Sequence, residues 1–251
     1  MLCLFFDLSE KMSAYAVIED NKIISYNSES MLCETFAETL FKLNQWIKDI
    51  VYKVNPDIIG IEDIFSQSVT GYKKLAKLQA IAELVCYNYN KQEPIFAIAK
   101  SIRKHFGLNI DKVLTEKAYN KKYKNKPKTP YSEYLKNENH YYNKFKHIDF
   151  NTKHLRIVNG ELVDIRTKRT VLITKKGKIK TKGKLISEFD YAKKIVIVDY
   201  INRNYNTNFN YNDNDIVDAI LGSLFLSKGF YKKAVKNGNS IGREKSNKST
   251  N

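Results

Sequence analysis

LCLFFDLSEKMSAYAVIEDNKIISY, residues 2–26, carries three strand signals in succession. Residues 2–8 form an apolar run broken only by Asp7, the pattern of a strand covered on both faces. Residues 14–19 and 22–26 flank Asp20-Asn21, a pair suited to closing a tight hairpin. Further on, Leu32, Phe36, Leu40, Leu43, Ile47 and Ile50 recur at spacings of three and four, which predicts an amphipathic helix over 30–54 with Trp46 in its packing. Asn55-Pro56 stops that helix. Residues 58–62 (IIGIE) read as a central strand, 72–90 as a helix through Leu75, Leu78, Ala82 and Val85, and 95–98 as a strand. Ser101 is expected to cap a short helix up to Gly107. Near the end, Ser187-Glu188-Phe189-Asp190 resembles a capping box ahead of Ala192, Ile195, Val198 and Ile201. Ile216, Ile220 and Leu224 mark a last helix over 215–228. An antiparallel start followed by strand–helix–strand crossovers implies an α/β fold, a mixed sheet with helices on both faces.

The charge is uneven. The 251 residues hold 43 Lys+Arg against 27 Asp+Glu, a net of +16. Residues 111–190 alone hold 21 of the basic and 9 of the acidic side chains, so a near-neutral scaffold carries one strongly basic segment. Such a segment attracts phosphate backbones and gains affinity by counterion release. Its first part, 117–150, mixes Lys and Asn with Tyr119, Tyr123, Tyr131, Tyr134, Tyr141 and Tyr142, rings able to stack on exposed bases. Its second part reads as a β-ribbon, with hairpins around Asn159-Gly160 and Lys176-Gly177. Residues 236–251 have no apolar periodicity and are expected to be a disordered tail. No run reaches the roughly 18 apolar residues of a membrane helix. The first residues lack the basic region of a signal peptide. Cys3, Cys33 and Cys86 lie far apart in sequence, which argues against a disulfide or zinc scaffold and for a reducing, cytoplasmic setting.

Four acids stand out. Asp7 interrupts an apolar run where a charge is costly. Glu62 ends another. Asp215 and Asp218 share one face at the start of the last helix. Carboxylates that converge without a basic partner repel one another and take up protons unless a cation neutralises them. Hard divalent ions such as Mg²⁺ prefer oxygen ligands, and two of them can drive phosphodiester hydrolysis. With the basic segment, this pattern points to a metal-dependent nuclease.

FFDLS (5–9), PDIIGIEDIF (56–65), KLAKLQAIAEL (74–84), PIFAIAKSIRKHFG (94–107) and NDIVDAI (214–220) together resemble the RuvC family of Holliday-junction resolvases, within the RNase H-like superfamily. The resemblance implies an RNase H-like mixed five-stranded sheet, with a nuclease core from 1–110 and 185–235 and a basic insertion at 111–184. It places the family's metal-binding acids on Asp7, Glu62, Asp215 and Asp218, serving two Mg²⁺ ions for which Mn²⁺ could substitute. Phe65 matches an aromatic implicated at the junction centre. Lys74, Lys77, Lys100, Arg103 and Lys104 fall where such proteins line the DNA path, and the ribbon's Lys176, Lys178 and Lys180 would extend it. The implied activity is structure-selective endonuclease action on four-way junctions or other branched DNA, by a homodimer, in recombination and repair. The Lys/Asn/Ile/Tyr-rich composition suits an AT-rich genome such as that of a phage or virus. An RNase H-type hybrid or flap nuclease, and a non-catalytic nucleic-acid-binding protein on the same fold, are the alternatives.

Overall fold

The computed structural model describes residues 1–63, 69–110, 116–124, 129–136, 140–148, 155–158, 161–164, 169–173, 179–181, 188–210 and 213–232. The expected β-ribbon turns, the Ser187 cap and the 236–251 tail lie outside these residues, as do Phe65, Lys176 and Lys178.

β1 (Leu2–Asp7), β2 (Met12–Glu19) and β3 (Lys22–Ser30) form the antiparallel start. Asp20 and Asn21 take the left-handed φ of 48° and 63° that a tight hairpin turn demands. β4 (Ile58–Glu62) pairs with β1 in parallel, and β5 (Ile95–Ala97) pairs with β4 in parallel. The order is β3-β2-β1-β4-β5, with β2 alone running against the rest. Helices cover both faces, completing an α/β arrangement with a mixed five-stranded sheet between two helical layers.

β1 shows why this sequence needs two layers of helices. Leu4 and Phe6 enter one core with α1 (Phe36–Val54) and α2 (Val69–Asn90). Cys3 and Phe5 enter the other, with α3 (Ala99–His105), α7 (Glu188–Tyr205) and α8 (Asn214–Ser227). Successive side chains of a strand point to opposite faces, so an unbroken apolar run requires cover on both. Trp46 packs edge-on against Phe6 and Tyr15 at 5.8 and 5.9 Å, a core role.

α8 lies hard against the sheet. Ser223 Oγ donates to Cys3 O at 2.7 Å, and a Cβ added at Gly222 would stand 2.3 Å from the Phe5 ring. Gly222→Ala therefore gains helix propensity yet overpacks the core. We expect a net loss of about 1–2 kcal/mol in urea unfolding; an unchanged or higher stability would mean that Phe5 moves aside freely.

Two local expectations are corrected. The helix foreseen from residue 30 begins at Phe36, because β3 runs on to Ser30 and Thr35 caps α1. The cap is reciprocal: Glu38 N donates to Thr35 Oγ1 at 3.2 Å, and Thr35 N donates to Glu38 Oε2 at 3.0 Å. Leu32 is consequently 63% exposed, off any helix. Ser101 caps nothing: Ile98 is the N-cap of α3, and Ser101 lies within the helix.

Among the described residues, the segment between α3 and α7 contains three short helices, α4 (Glu116–Lys122), α5 (Tyr131–Tyr134) and α6 (Tyr141–Lys144). It also contains a four-stranded antiparallel sheet, β6 (Leu155–Val158), β7 (Glu161–Asp164), β8 (Arg169–Ile173) and β9 (Ile179–Thr181), in that order. Among the described residues, several of these tyrosines pack on one another. Tyr119 is buried against Tyr123, Tyr131 and Tyr134 at ring distances of 4.8, 5.6 and 4.5 Å, and its hydroxyl donates to Thr129 O at 2.6 Å. Tyr134 meets the buried His140 at 4.6 Å. These rings build a small core of their own.

No helix among the described residues is long and apolar enough to cross a membrane. Cys3 and Cys86 are buried and Cys33 is exposed, all as free thiols.

Candidate active site

Strand alternation brings the first two acids together. Cys3 and Phe5 face α8, so Asp7, two residues on, faces the same way. On β4, Ile59 and Ile61 face the α1–α2 core, leaving Ile58, Gly60 and Glu62 toward α8. Phe6 is level with Ile61, so Asp7 and Glu62 close neighbouring strand ends on one face. The first turns of α8 add Asp215 and Asp218, spaced to share a side of that helix. All four carboxylates are half-buried.

Their electrostatics record the crowding. Burial, then the Glu62, Asp218 and Asp215 carboxylates, raise the Asp7 pKa well above the usual carboxylate range. Burial and Asp218 push Glu62 up to about 8. Asp215 is also raised, mainly by burial, while Lys194 and a hydrogen bond from the Asn214 amide pull the other way. Four acids on three separated elements thus feel one another, as like charges in a shared recess must.

Two basic side chains accompany the acids. Arg103, on α3, donates from Nη2 to Asp218 Oδ1 at 3.0 Å. Burial works against its charge, but Asp218, Glu62 and Asp7 outweigh it, and its pKa moves up. Lys194, on α7, is close enough for its charge to ease Asp7, Glu62 and Asp215. The sequence points Arg103 toward the DNA path and gives Lys194 no role. A signal for the latter existed: Lys194 shares a helical face with Ile197, Val198 and Ile201, all buried, where a lysine needs a reason.

The donor chemistry suits a hard divalent ion, since carboxylate oxygens are what Mg²⁺ prefers. The placement is not a finished ligand shell. Among the described residues, no three His, Cys, Asp or Glu side chains converge closely enough to hold an ion.

The remaining basic residues divide. Lys77, Lys100 and Lys104 are exposed. Lys74 is committed elsewhere, paired with Glu10 and lying over the Phe36 ring at 5.3 Å. Lys180 lies on β9, level with Leu172. His105 stacks on Phe230 at 4.9 Å, and His147 meets Asp199 at 2.9 Å, so neither joins the acids.

No protein-family model and no curated protein matches the chain. Among solved structures, the chain is similar to Thermus thermophilus RuvC, with a TM-score of 0.37 and 9% identity over 41% of this chain and 68% of that one. It is also similar to T. thermophilus RuvC in complex with Holliday junction substrate, with a TM-score of 0.39 and 8% identity over 42% and 69%. The description of the fold as a mixed five-stranded sheet between helical layers rests on the strand order and pairing given above.

Proposed function

We propose that the protein is a metal-dependent, structure-selective DNA endonuclease that hydrolyses phosphodiesters in four-way junctions or related branched DNA. The observation that supports this reading is that the charges of Asp7, Glu62, Asp215 and Asp218, from β1, β4 and α8, act on one another. Asp7 and Glu62 would hold the cations from the sheet side, with Asp215 and Asp218 completing the shell from the helix. A bound divalent ion there supplies an attacking water that ionises near neutral pH and charge stabilisation for the leaving oxygen. Lys77, Lys100 and Lys104 offer exposed charge for the phosphate backbone, which positions the duplex without reading its sequence. In this reading the 111–184 segment is an insertion in a discontinuous core, and its many lysines add positive charge for the same backbone. A two-fold dimer suits a four-way junction, because symmetric nicks need two related sites. The free thiols fit a reducing, cytoplasmic setting.

Labelled substrates compared at one salt concentration with Mg²⁺ test the reading. The four-way junction is expected to be cut at least about tenfold faster than linear duplex of the same sequence, with EDTA stopping both reactions. Preference for an RNA–DNA hybrid would move the assignment to an RNase H-type enzyme. Salt-sensitive binding without cutting would leave a nucleic-acid-binding protein on this fold.

A further inference from the structure

The contact that departs most from a plain carboxylate pocket is Arg103 on Asp218. Their side chains are 20% and 13% exposed, so the pair is largely enclosed. Asp218 acts on both Asp7 on β1 and Glu62 on β4, and on each more strongly than Asp215 does. Whatever neutralises Asp218 therefore eases both of these acids.

The pair has the marks of a temporary arrangement. Arg–carboxylate pairs are often bidentate, with two parallel N–H donors engaged. Here one Nη donates to one oxygen, while Arg103 Nε is buried with no acceptor among the described residues. A buried donor without a partner carries a desolvation cost. Nor do the carboxylates close into a three-donor group while Arg103 holds Asp218. A guanidinium cannot lose its proton in a protein, so raising the pH does not remove this cation from the recess.

From these observations we infer that Arg103 is an exchangeable internal counter-ion, which holds Asp218 in the cation-free protein and which a divalent ion must displace before the acids can form a ligand shell. The inference rests on the reading that a divalent ion binds at these acids. Once displaced, the guanidinium has its donors open to a phosphate oxygen. A divalent ion and a nucleic-acid backbone then favour the same position of Arg103, and each tightens the binding of the other, by the reciprocity of linked equilibria.

Mn²⁺ titration of the full chain without nucleic acid, read from the electron paramagnetic resonance signal of free Mn²⁺, tests the exchange. Arg103→Gln removes a positive charge a few ångströms from the ion and is expected to bind Mn²⁺ about tenfold or more tighter than the wild type. Arg103→Lys keeps the charge and should stay within about threefold, and Lys104→Gln, an exposed neighbour, within about twofold. Thermal melts separate this role from simple structural support. Arg103→Gln should melt below the wild type in EDTA and level with it at saturating Mn²⁺. Arg103→Leu, which keeps an apolar stem against α8, carries the same expectations should the Gln variant not fold. Equal or weaker Mn²⁺ binding by the Arg103 variants, with binding abolished in Asp7→Asn, overturns the counter-ion role and leaves the metal reading standing. Absence of Mn²⁺ binding in the wild type and the Arg103 variants alike overturns both.

Discussion

Asp7→Asn is expected to bind a four-way junction as the wild type does and to cut it about a thousandfold more slowly or worse, the scale reached when a group that stabilises transition-state charge is removed. The substitution is nearly isosteric, so the side chain still ends β1 on the α8 face. What it removes is the anionic oxygen that a cation at this recess would need. It also removes the most burdened charge of the cluster, since burial and three neighbouring carboxylates all act against ionisation of Asp7. The metal-free variant should therefore melt at or above the wild-type temperature near pH 8. Lost activity with undiminished stability separates a chemical role from a structural one. Junction cutting at a normal rate by Asp7→Asn would remove the proposed chemistry from this site. Gel-shift affinity at fixed salt completes the test, because the exposed Lys77, Lys100 and Lys104 are untouched.

The second large effect is on stability. Glu62 rises from an ordinary value of 4.5 to about 8 in the fold, and burial is the first cause. A carboxyl with a raised folded-state pKa favours folding where it can stay protonated. Its contribution is fully present below about pH 4.5 and is lost as the pH climbs through about 8. Asp7 adds in the same direction. In EDTA, unfolding free energy should thus fall by about 2–4 kcal/mol between pH 5 and pH 8, less than the full shift because water reaches the recess. Mg²⁺ binds the ionised acids, so its stabilisation should be small at pH 5 and large at pH 8. Denaturant unfolding across this range, with and without Mg²⁺, measures both slopes. Glu62→Gln should flatten the EDTA slope; a wild-type protein that grows more stable toward pH 8 in EDTA would show that these acids ionise freely.

Much of this was legible in the chain. The apolar run of β1 declared a strand buried on both faces, and Asp7 was conspicuous as a charge inside it. Glu62 and the Asp215/Asp218 spacing followed from where a strand ended and a helix began. The partner of Asp218 was not legible. Arg103 lies 115 residues away, and a helix face read from periodicity does not say which neighbour it meets. The tail of β3, Asn27–Ser30, carries no apolar alternation because it edges the sheet, so nothing in the sequence separates it from the start of α1. The tyrosines of 117–134 were ambiguous for a different reason. A ring that stacks on a base and a ring that packs on another ring use the same residue, and burial alone distinguishes them.

The alternation along β1 also constrains how such a protein can change over generations. Leu4 and Phe6 serve one layer, while Cys3, Phe5 and Asp7 serve the other. A one-residue insertion or deletion within this strand would exchange the two sets, driving Asp7 in among the α1–α2 side chains and turning Phe6 outward into the recess. Side-chain volume here can drift by repacking, but strand length can shift only in steps of two. Changes of length are less constrained where no such alternation fixes two faces, as in the connections around the sheet.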